Sequence, residues 1–308
     1  MLRDIRKAFE QSVMKEQKWM DAATRVATAD KSRRMKEHIG FPEWLLDDQK
    51  LEQYYRGVLI SESTHMENML SVLNWRMRLQ LESLHSAEDG MHNWATDPIS
   101  VNAFHTFQTN AITVPIAILQ YPFYHLGLEA LNYGSLGSIL GHELTHGFDD
   151  SGRQYDKEGN LRQWWSEDTV EKYIEKTKCF IDQYSKFYMP DIGEYINGEL
   201  TLGENIADNG GLREAFAAYQ IYIKENGRES YLPGFEDFTH EQLFFLSYGN
   251  LWCETSTPES SRWALEDEHC PGKYRLRGVL TNSKEFSKAW KCKLGSGMNP
   301  NNDKCTIW

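Results

Sequence analysis

Two histidines separated by three residues, with a glutamate beside the first, stand in the stretch GHELTHGFDD at residues 141–150. On a helix, positions i and i+4 lie on one face, so His142 and His146 can direct both imidazoles at one metal ion. Glu143 lies about 100° further round the helix axis, from where it can reach a water bound to that ion. The pattern predicts a zinc centre; the alternative is two exposed histidines on a polar helix.

The elements around this motif favour the metal. Ser135, Leu136, Ile139 and Leu140 give the same helix an apolar face, so we expect the helix to be buried. A buried histidine pair needs polar partners, because burying an unpaired polar group costs free energy.

A zinc site in a hydrolase needs a third protein ligand and one open position. The longer pattern HExxHxxGxxH would supply it, but Asp149 and Gly152 fill the positions that require Gly and His. The stretch GENIADNGG offers Glu204 and Asp208 instead, again four residues apart. Glu204 can bind the ion, or it can be an acidic residue in the first turn of a helix that is favoured by the helix dipole. The sequence favours these two roles equally. Asp208 and Asp149 can accept the N–H of a ligand histidine.

Composition limits the other functions. The chain has 308 residues and a net charge of −12, and no Lys/Arg-rich block, which argues against a nucleic-acid surface. No run of about 18 apolar residues exists, so no segment is expected to span a membrane. The start of the chain is charged and amphipathic, unlike a signal peptide. None of the five cysteines forms a CxxC pair, which makes a zinc ribbon improbable.

Hydrophobic periodicity predicts mostly helices. We expect helices over residues 1–38, 44–84, 131–147, 164–188, 241–254 and from 204 onward, strand and loop from 101, and a polar, turn-rich tail. The Met and aromatic positions between 44 and 84 are predicted to be core. Pro115 favours a strand end or an edge strand. A polar seam is expected near residues 80–100.

Several long motifs resemble the neprilysin and endothelin-converting-enzyme family. They are GHELTHGFDDSGRQYDKEGNLRQWW, LGENIADNGGL, VNAFHTFQTNAITVPIAILQYPFY, QLFFLSYGNLWC and the terminal MNPNNDKCTIW. The resemblance covers essentially the whole chain. It implies a mainly α fold with a small β component (α+β), a thermolysin-like zincin catalytic lobe, and an endopeptidase of oligopeptides with one Zn²⁺ per chain.

The resemblance also implies a role for each matching residue. The zinc ligands would be His142, His146 and Glu204, and the general base would be Glu143. Asp149 and Asp208 would hold the ligand histidines, and the transition state would be stabilised by His269. Substrate would be bound by Asn102, Ala103 and Arg275, with a pocket for a bulky apolar residue after the cut bond formed by Ile118, Phe123, Ile139 and Trp252.

Family members are much longer, so the resemblance places this chain in their C-terminal portion. Residues 1–75 would be the end of the second, lid-forming lobe, and residues 76–308 the catalytic lobe. The resemblance pairs Cys179 with Cys305 and gives Cys253 and Cys292 partners in an amino-terminal region. Cys270 stands where the family more often has Ser. An extracellular or cell-surface ectodomain is expected.

The sequence is also compatible with two other functions. A catalytically inactive truncated relative would bind peptide or zinc without turnover. An aminopeptidase would need an element that holds a free substrate amine, and the sequence has no G-x-M-E-N stretch to support that function.

Overall fold

The computed structural model describes residues 1–84, 94–301 and 303–308, and helices dominate it. These residues form twelve α-helices: α1 (Leu2–Ala8), α2 (Ala22–Arg34), α3 (Asp48–Tyr54), α4 (His65–Ser83), α5 (Glu129–Asn132), α6 (Ser138–His146), α7 (Glu167–Tyr184), α8 (Leu202–Asn226), α9 (His240–Leu251), α10 (Pro258–Trp263), α11 (Gly272–Asn282) and α12 (Lys284–Ala289). The same residues form five short strands: β1 (Lys36–Gly40), β2 (Phe104–Thr106), β3 (Ala111–Pro115), β4 (Tyr188–Met189) and β5 (Glu194–Tyr195). The predicted mainly α architecture with a small β component is confirmed.

Strand β3 lies at the centre of a three-stranded sheet, with β1 parallel on one side and β2 antiparallel on the other. All five of its residues are buried, which suits its run of β-branched side chains. Pro115 is the last residue of the strand, as predicted, because it has no N–H with which to extend the ladder. Strand β2 is an edge strand and contacts α6.

The helix with the two histidines is longer than α6 alone. Helix α5 continues through a π-helical turn, Tyr133–Gly137, directly into α6. A π turn inserts one extra residue and so rotates everything that follows it on the helix. Leu136 and Leu140 are buried, which confirms the prediction of a buried helix.

Helices α6 and α8 cross in close backbone contact. A Cβ atom at Gly141 would lie 2.5 Å from the carbonyl oxygen of Gly211, and one at Gly211 would lie 2.4 Å from the backbone nitrogen of His142. A Cβ at Gly210 would lie 2.7 Å from Cγ2 of Thr145. Glycine in a helix interior lowers the stability of the helix by about 1 kcal/mol relative to alanine. At this crossing the absence of side chains allows the backbones of α6 and α8 to come into contact.

The amino-terminal residues pack against this helix pair. Helix α1 contacts both α6 and α8, and Leu2, Ile5 and Phe9 are buried in the common core. Strand β1 belongs to the same sheet as β3. Whether residues 1–75 belong to a second lobe in a longer protein stays a prediction.

Three of the predicted elements are wrong. Residues 36–40 form β1, because pairing with β3 overrides the helical pattern. The helix over 44–84 is interrupted between α3 and α4, where Gly57 has a φ of +92° that favours glycine. The tail contains α10 to α12, whose caps at Thr257 and Ser283 are legible in the sequence as T-P-E-S and S-K-E-F.

The prediction that the apolar positions of 44–84 are core is also wrong in most cases. Met66, Met69 and Leu73 are exposed on α4, whereas Trp75 is buried. No described residue covers the exposed face of α4. The polar seam expected near 80–100 includes residues 85–93, which lie outside the described residues.

A disulfide joins Cys179 on α7 to Cys305 near the carboxyl end, as the resemblance implied. It closes a loop of 126 residues, and the chain-entropy model values such a loop at about 5 kcal/mol. Among the described residues, no helix is both long and apolar enough to cross a lipid bilayer.

A buried carboxyl group links the two crossing helices. The hydroxyl of Thr145 on α6 lies 2.8 Å from the carbonyl oxygen of Gly141 and 3.0 Å from Oε1 of Glu214 on α8. Thr145 has one proton to donate, so both contacts are satisfied when Glu214 is protonated and donates to the hydroxyl. Oε2 of Glu214 has no hydrogen-bond partner among the described residues, and burial raises the pKa of Glu214 well above 4.5.

We expect Glu214→Gln to stabilise the protein at neutral pH. The unfolded glutamate ionises near its ordinary pKa of 4.5, while the folded one stays protonated, so wild-type stability falls as pH rises above about 4.5. Glutamine keeps the donor and removes this loss. At pH 7 the melting temperature should rise by at least about 2 °C, the shift that about 1 kcal/mol produces in a large domain.

The gain should shrink as pH falls towards 4, where the glutamate is protonated in both states. Thermal unfolding between pH 4 and 8 measures this. The exposed Glu52→Gln is the control and should leave the curve unchanged. A Glu214→Gln protein less stable than wild type at pH 7 would show that Glu214 is ionised in the fold.

Candidate metal centre

Three side chains from α6 and α8 converge on one point. Nε2 of His142 lies 2.9 Å from Nε2 of His146. The two carboxylate oxygens of Glu204 lie 3.2 Å and 3.3 Å from these same nitrogens. All three ligand atoms are within 4.8 Å of one another. Glu204 lies in the first turn of α8, yet its carboxylate faces the histidines across the helix crossing.

Each imidazole has a carboxylate on its other nitrogen. Nδ1 of His146 lies 2.6 Å from Oδ2 of Asp149, and Nδ1 of His142 lies 2.9 Å from Oδ1 of Asp208. A carboxylate at Nδ1 keeps the proton there and leaves the lone pair on Nε2. Two imidazole lone pairs and one carboxylate therefore meet at one point, which is stable only around a cation. This donor set, His₂Glu, fits catalytic zinc.

Asp208 is held by an arginine as well as by the histidine. Arg275 on α11 donates from Nε and from a terminal nitrogen to the two oxygens of Asp208, each at 2.6 Å. Burial opposes ionisation of Asp208, but the charge of Arg275 outweighs it and keeps the pKa of Asp208 below its ordinary value. The guanidinium also lies 4.1 Å from the ring centre of Trp252, a cation–π contact.

Asp149 is held by a tight turn that follows α6. Its Oδ1 accepts hydrogen bonds from the backbone N–H groups of Ser151 and Gly152, at 2.9 Å and 2.6 Å. Its Oδ2 is thereby free to face His146. The two histidines thus depend on two independent carboxylates, each fixed by a different part of the fold.

Glu143 faces the same cavity as the metal-binding residues. It is buried, and no described residue forms a hydrogen bond with its carboxylate. Burial raises the pKa of Glu143, while the nearby histidines lower it. The backbone oxygen of Glu143 lies 2.7 Å from Nδ1 of His105 on the edge strand β2, which ties that strand to α6. A carboxylate with a raised pKa and no partner is suited to accepting a proton.

His269 reaches the site from the loop before α11. Its Nε2 lies 3.2 Å from Oε2 of Glu204, and its Nδ1 lies 2.7 Å from Oδ1 of Asp267. Asp267 also accepts the backbone N–H of His269 at 2.8 Å. Our sequence reasoning missed Asp267. The signal was its position two residues before the histidine, where an aspartate commonly accepts from the backbone.

A cavity of about 460 Å³ opens over the convergence point. Its lining includes His142, Glu143, His146, Glu204 and Asp208. It also includes His269, expected to stabilise the transition state, and all the residues expected to bind substrate: Asn102, Ala103, Ile118, Phe123, Ile139, Trp252 and Arg275. Sequence reasoning missed the aromatic lining residues Phe104, Phe107 and Tyr248, because nothing in their spacing separates them from core.

Cys270 is a buried free thiol beside His269. Its sulfur lies 3.4 Å from Oδ1 of Asn205, and burial raises its pKa to about 11. A thiol with this pKa remains protonated at neutral pH and is unreactive. Cys270 therefore packs the loop that carries His269.

We expect Gly211→Ala to separate α6 from α8 and damage the metal centre. Its methyl group would overlap the backbone of His142, so the helices must move apart. Overpacking of this kind costs about 1–3 kcal/mol, and zinc affinity should fall by about tenfold or more. Thermal unfolding and competition with a zinc chelator measure the two effects.

Gly249→Ala is the matched control for this change. Gly249 lies in α9, and a Cβ there would meet nothing closer than 4.0 Å. This variant should keep wild-type zinc affinity and gain up to about 1 kcal/mol of stability. If both variants bound zinc like wild type, the close crossing would not be required for the site.

Comparison with known proteins agrees with this geometry. The model of Peptidase family M13 matches residues 102–306, more than half of the chain. An endothelin-converting enzyme homolog of Locusta migratoria is 44% identical over 310 residues, which cover 100% of this chain and 42% of the relative. Neprilysin-1 of Caenorhabditis elegans is 42% identical over 316 residues, which cover 100% of this chain and 41% of the relative.

Solved structures show the same similarity. The zinc metalloprotease Zmp1 of Mycobacterium tuberculosis, in complex with an inhibitor, superposes with a TM-score of 0.84 at 29% identity, over 95% of this chain and 44% of that one. This chain therefore spans less than half the length of the proteins it matches. By its sequence over nearly its whole length and by its fold, it belongs to peptidase family M13, the family of neprilysins and endothelin-converting enzymes.

Proposed function

We propose that this chain forms the catalytic part of a zinc endopeptidase that hydrolyses oligopeptides. The observation that carries the proposal is the convergence of His142, His146 and Glu204 beneath a cavity that Glu143 also lines. The three side chains would hold one zinc ion and leave one side of it open to the cavity. Membership of family M13 supports the same chemistry.

The residues around the zinc have separate tasks in this proposal. A bound zinc ion would supply a Lewis acid that polarises the scissile carbonyl and acidifies water. Glu143 accepts a proton from the attacking water and passes it to the leaving nitrogen as the C–N bond breaks. The products are then a carboxylic acid and an amine, and transfer of the remaining water proton between them gives a carboxylate and an ammonium. The raised pKa of Glu143 suits a group that must both take and return a proton.

Negative charge develops on the carbonyl oxygen during the attack, and in this proposal His269 stabilises it. Asp267 holds Nδ1 of His269, which directs Nε2 towards Glu204 and the centre. Loss of one such donor typically costs about 3 kcal/mol of barrier. Arg275 is fixed by Asp208 and Trp252, so it can present its remaining N–H groups to a substrate carbonyl.

The cavity wall supports a preference for bulky apolar residues after the cut bond. Ile118, Phe123, Ile139 and Trp252 contribute apolar surface beside the metal centre. Asn102 and Ala103 also line the cavity and directly precede the edge strand β2, where they can hydrogen-bond an extended peptide backbone. We infer cleavage on the amino side of residues such as Phe or Leu.

The cysteines support an extracellular compartment. The Cys179–Cys305 disulfide is expected where the environment is oxidising. Cys253 is exposed and Cys292 is partly exposed. We infer that these two pair with cysteines in an amino-terminal region that corresponds to the part of the relatives not matched by this chain. We also infer that the parent protein is a secreted or membrane-anchored ectoenzyme.

Binding without turnover is the second candidate function. Turnover is supported by three contacts: Asp149 lies against His146, Asp208 lies against His142, and His269 lies 3.2 Å from Glu204. A chain without a glutamate at position 143, or with that glutamate turned away from the cavity, would instead favour binding without turnover.

We expect the purified protein to contain about one zinc per chain, and Glu143→Gln to keep that zinc while losing turnover. Glutamine has nearly the same shape but cannot accept the proton, so kcat should fall by about 10²–10⁴. Elemental analysis and cleavage of a quenched fluorescent peptide measure the two quantities. Glu214→Gln, a buried glutamate outside the cavity, should keep both. Wild-type turnover by Glu143→Gln would exclude this base.

We expect the peptide sequence after the cut bond to control the rate. In a peptide series, peptides with Phe or Leu at that position should be cleaved at least about 10-fold faster than the peptide with Ala. The larger side chains bury more apolar surface in the pocket and so stabilise the transition state more. Ile139→Phe should narrow the pocket and lower the cleavage rate for Phe relative to that for Leu. The exposed Ile116→Phe is the control. Mass spectrometry that locates the cuts elsewhere would contradict the pocket assignment.

A further inference from the structure

Lys31 is a fully buried lysine on α2 that lies close to the metal centre. Its side chain has no exposed surface. Its ammonium donates to three backbone carbonyls: Gly147 at 2.7 Å, Gly152 at 2.8 Å and Tyr155 at 2.7 Å. The nitrogen also lies 5.4 Å from the ring centre of Phe148. A buried charge persists only where it is fully hydrogen-bonded, so this site is built for an ammonium.

The three carbonyl contacts favour the protonated form of Lys31. A neutral amine has two N–H donors and one lone pair, which would repel the third carbonyl oxygen. All three contacts are short, so all three protons are in use. The carboxylate charges of Asp149 and Asp156 favour the ammonium, in opposition to burial, which lowers the pKa of Lys31 to about 7.

Two of the three carbonyls belong to the turn that carries Asp149, and the third, that of Tyr155, follows the turn. Gly147 directly follows the ligand histidine, and Gly152 closes the turn. Gly152 has two roles, because its carbonyl binds Lys31 while its N–H donates to Oδ1 of Asp149 at 2.6 Å. The other oxygen of Asp149 faces Nδ1 of His146. An unbroken series of short contacts therefore runs from Lys31 to the imidazole.

We propose that Lys31 is a positioning residue for the metal centre, whose ammonium clamps both ends of the 147–152 turn and so holds Asp149 against His146. The inference rests on the proposed function, in which His146 binds zinc. Lys31 touches neither the ion nor the substrate. It fixes the distance between a histidine and the carboxylate that orients it, and this distance sets the affinity of the histidine for a metal.

A purely structural role predicts a different pattern of effects. If Lys31 only stabilised the fold, its loss would weaken zinc binding equally with or without Asp149. If it acts through Asp149, its loss has little further effect once Asp149 cannot orient the histidine. The carboxylate on the other histidine, Asp208, is held by Arg275 and provides the comparison. A double-mutant cycle separates the two roles.

The experiment measures zinc affinity by competition with a chelator, in the purified protein and in single and double variants. Lys31→Met keeps the aliphatic stem but has no donor, and Lys31→Gln keeps two donors. Asp149→Asn should weaken zinc by about 10–100-fold, and Lys31→Met by up to about tenfold. Lys31→Gln should fall between wild type and Lys31→Met, and it replaces the methionine in the cycle if that variant does not fold.

We expect Lys31→Met to cost less than about twofold in the Asp149→Asn background, but its full effect in an Asp208→Asn background. Lys304→Met is the matched control, since Lys304 also donates to a carbonyl, that of Thr281, outside the metal centre. It should leave zinc affinity unchanged. Equal effects of Lys31→Met in both backgrounds would overturn this inference alone. Absence of zinc binding by wild type would overturn the proposed function with it.

Discussion

The metal centre depends on the distance between α6 and α8. Both histidines come from one helix, and the carboxylate that completes the set comes from the other, so the helices must lie closer than ordinary side chains allow. Gly141, Gly210 and Gly211 make this possible by placing backbone against backbone. Helices in soluble proteins usually pack 8–10 Å apart, depending on the side chains between them. A single methyl group at this crossing would widen the gap that the ion has to bridge.

Electrostatics explains why this crossing selects a cation. Glu143, Glu204, Asp149 and Asp208 surround the two imidazoles, and Arg275 is the cation hydrogen-bonded to this group. Four negative charges against one would be unfavourable in a buried site. A divalent ion removes most of that imbalance.

Sequence patterns predicted the grouping of the candidate site better than the packing around it. HExxH and GENIAD predicted that His142, His146 and Glu204 converge, and their ligand atoms lie within 4.8 Å of one another, because helical spacing fixes the direction of side chains. Strand β1 was missed because it pairs with residues far along the chain: Lys36 lies opposite Ala111, 75 positions later. Lys31 was overlooked because no local pattern distinguishes a buried lysine from a surface one. Asp267 was missed although its spacing from His269 was visible.

The two ligand histidines are oriented by unlike means, and this has a mechanical consequence. Asp208 is fixed by an arginine side chain that also faces the cavity, so whatever contacts Arg275 can alter the partner of His142. Asp149 is fixed by backbone N–H groups in a turn that lies away from the cavity. In the proposed function, a substrate that binds Arg275 would therefore act on His142 through Asp208, whereas Asp149 offers no such connection to His146. One histidine would then keep the ion in place while the other would respond to an occupied cavity, because of these two carboxylates only Asp208 shares its partner, Arg275, with the cavity lining.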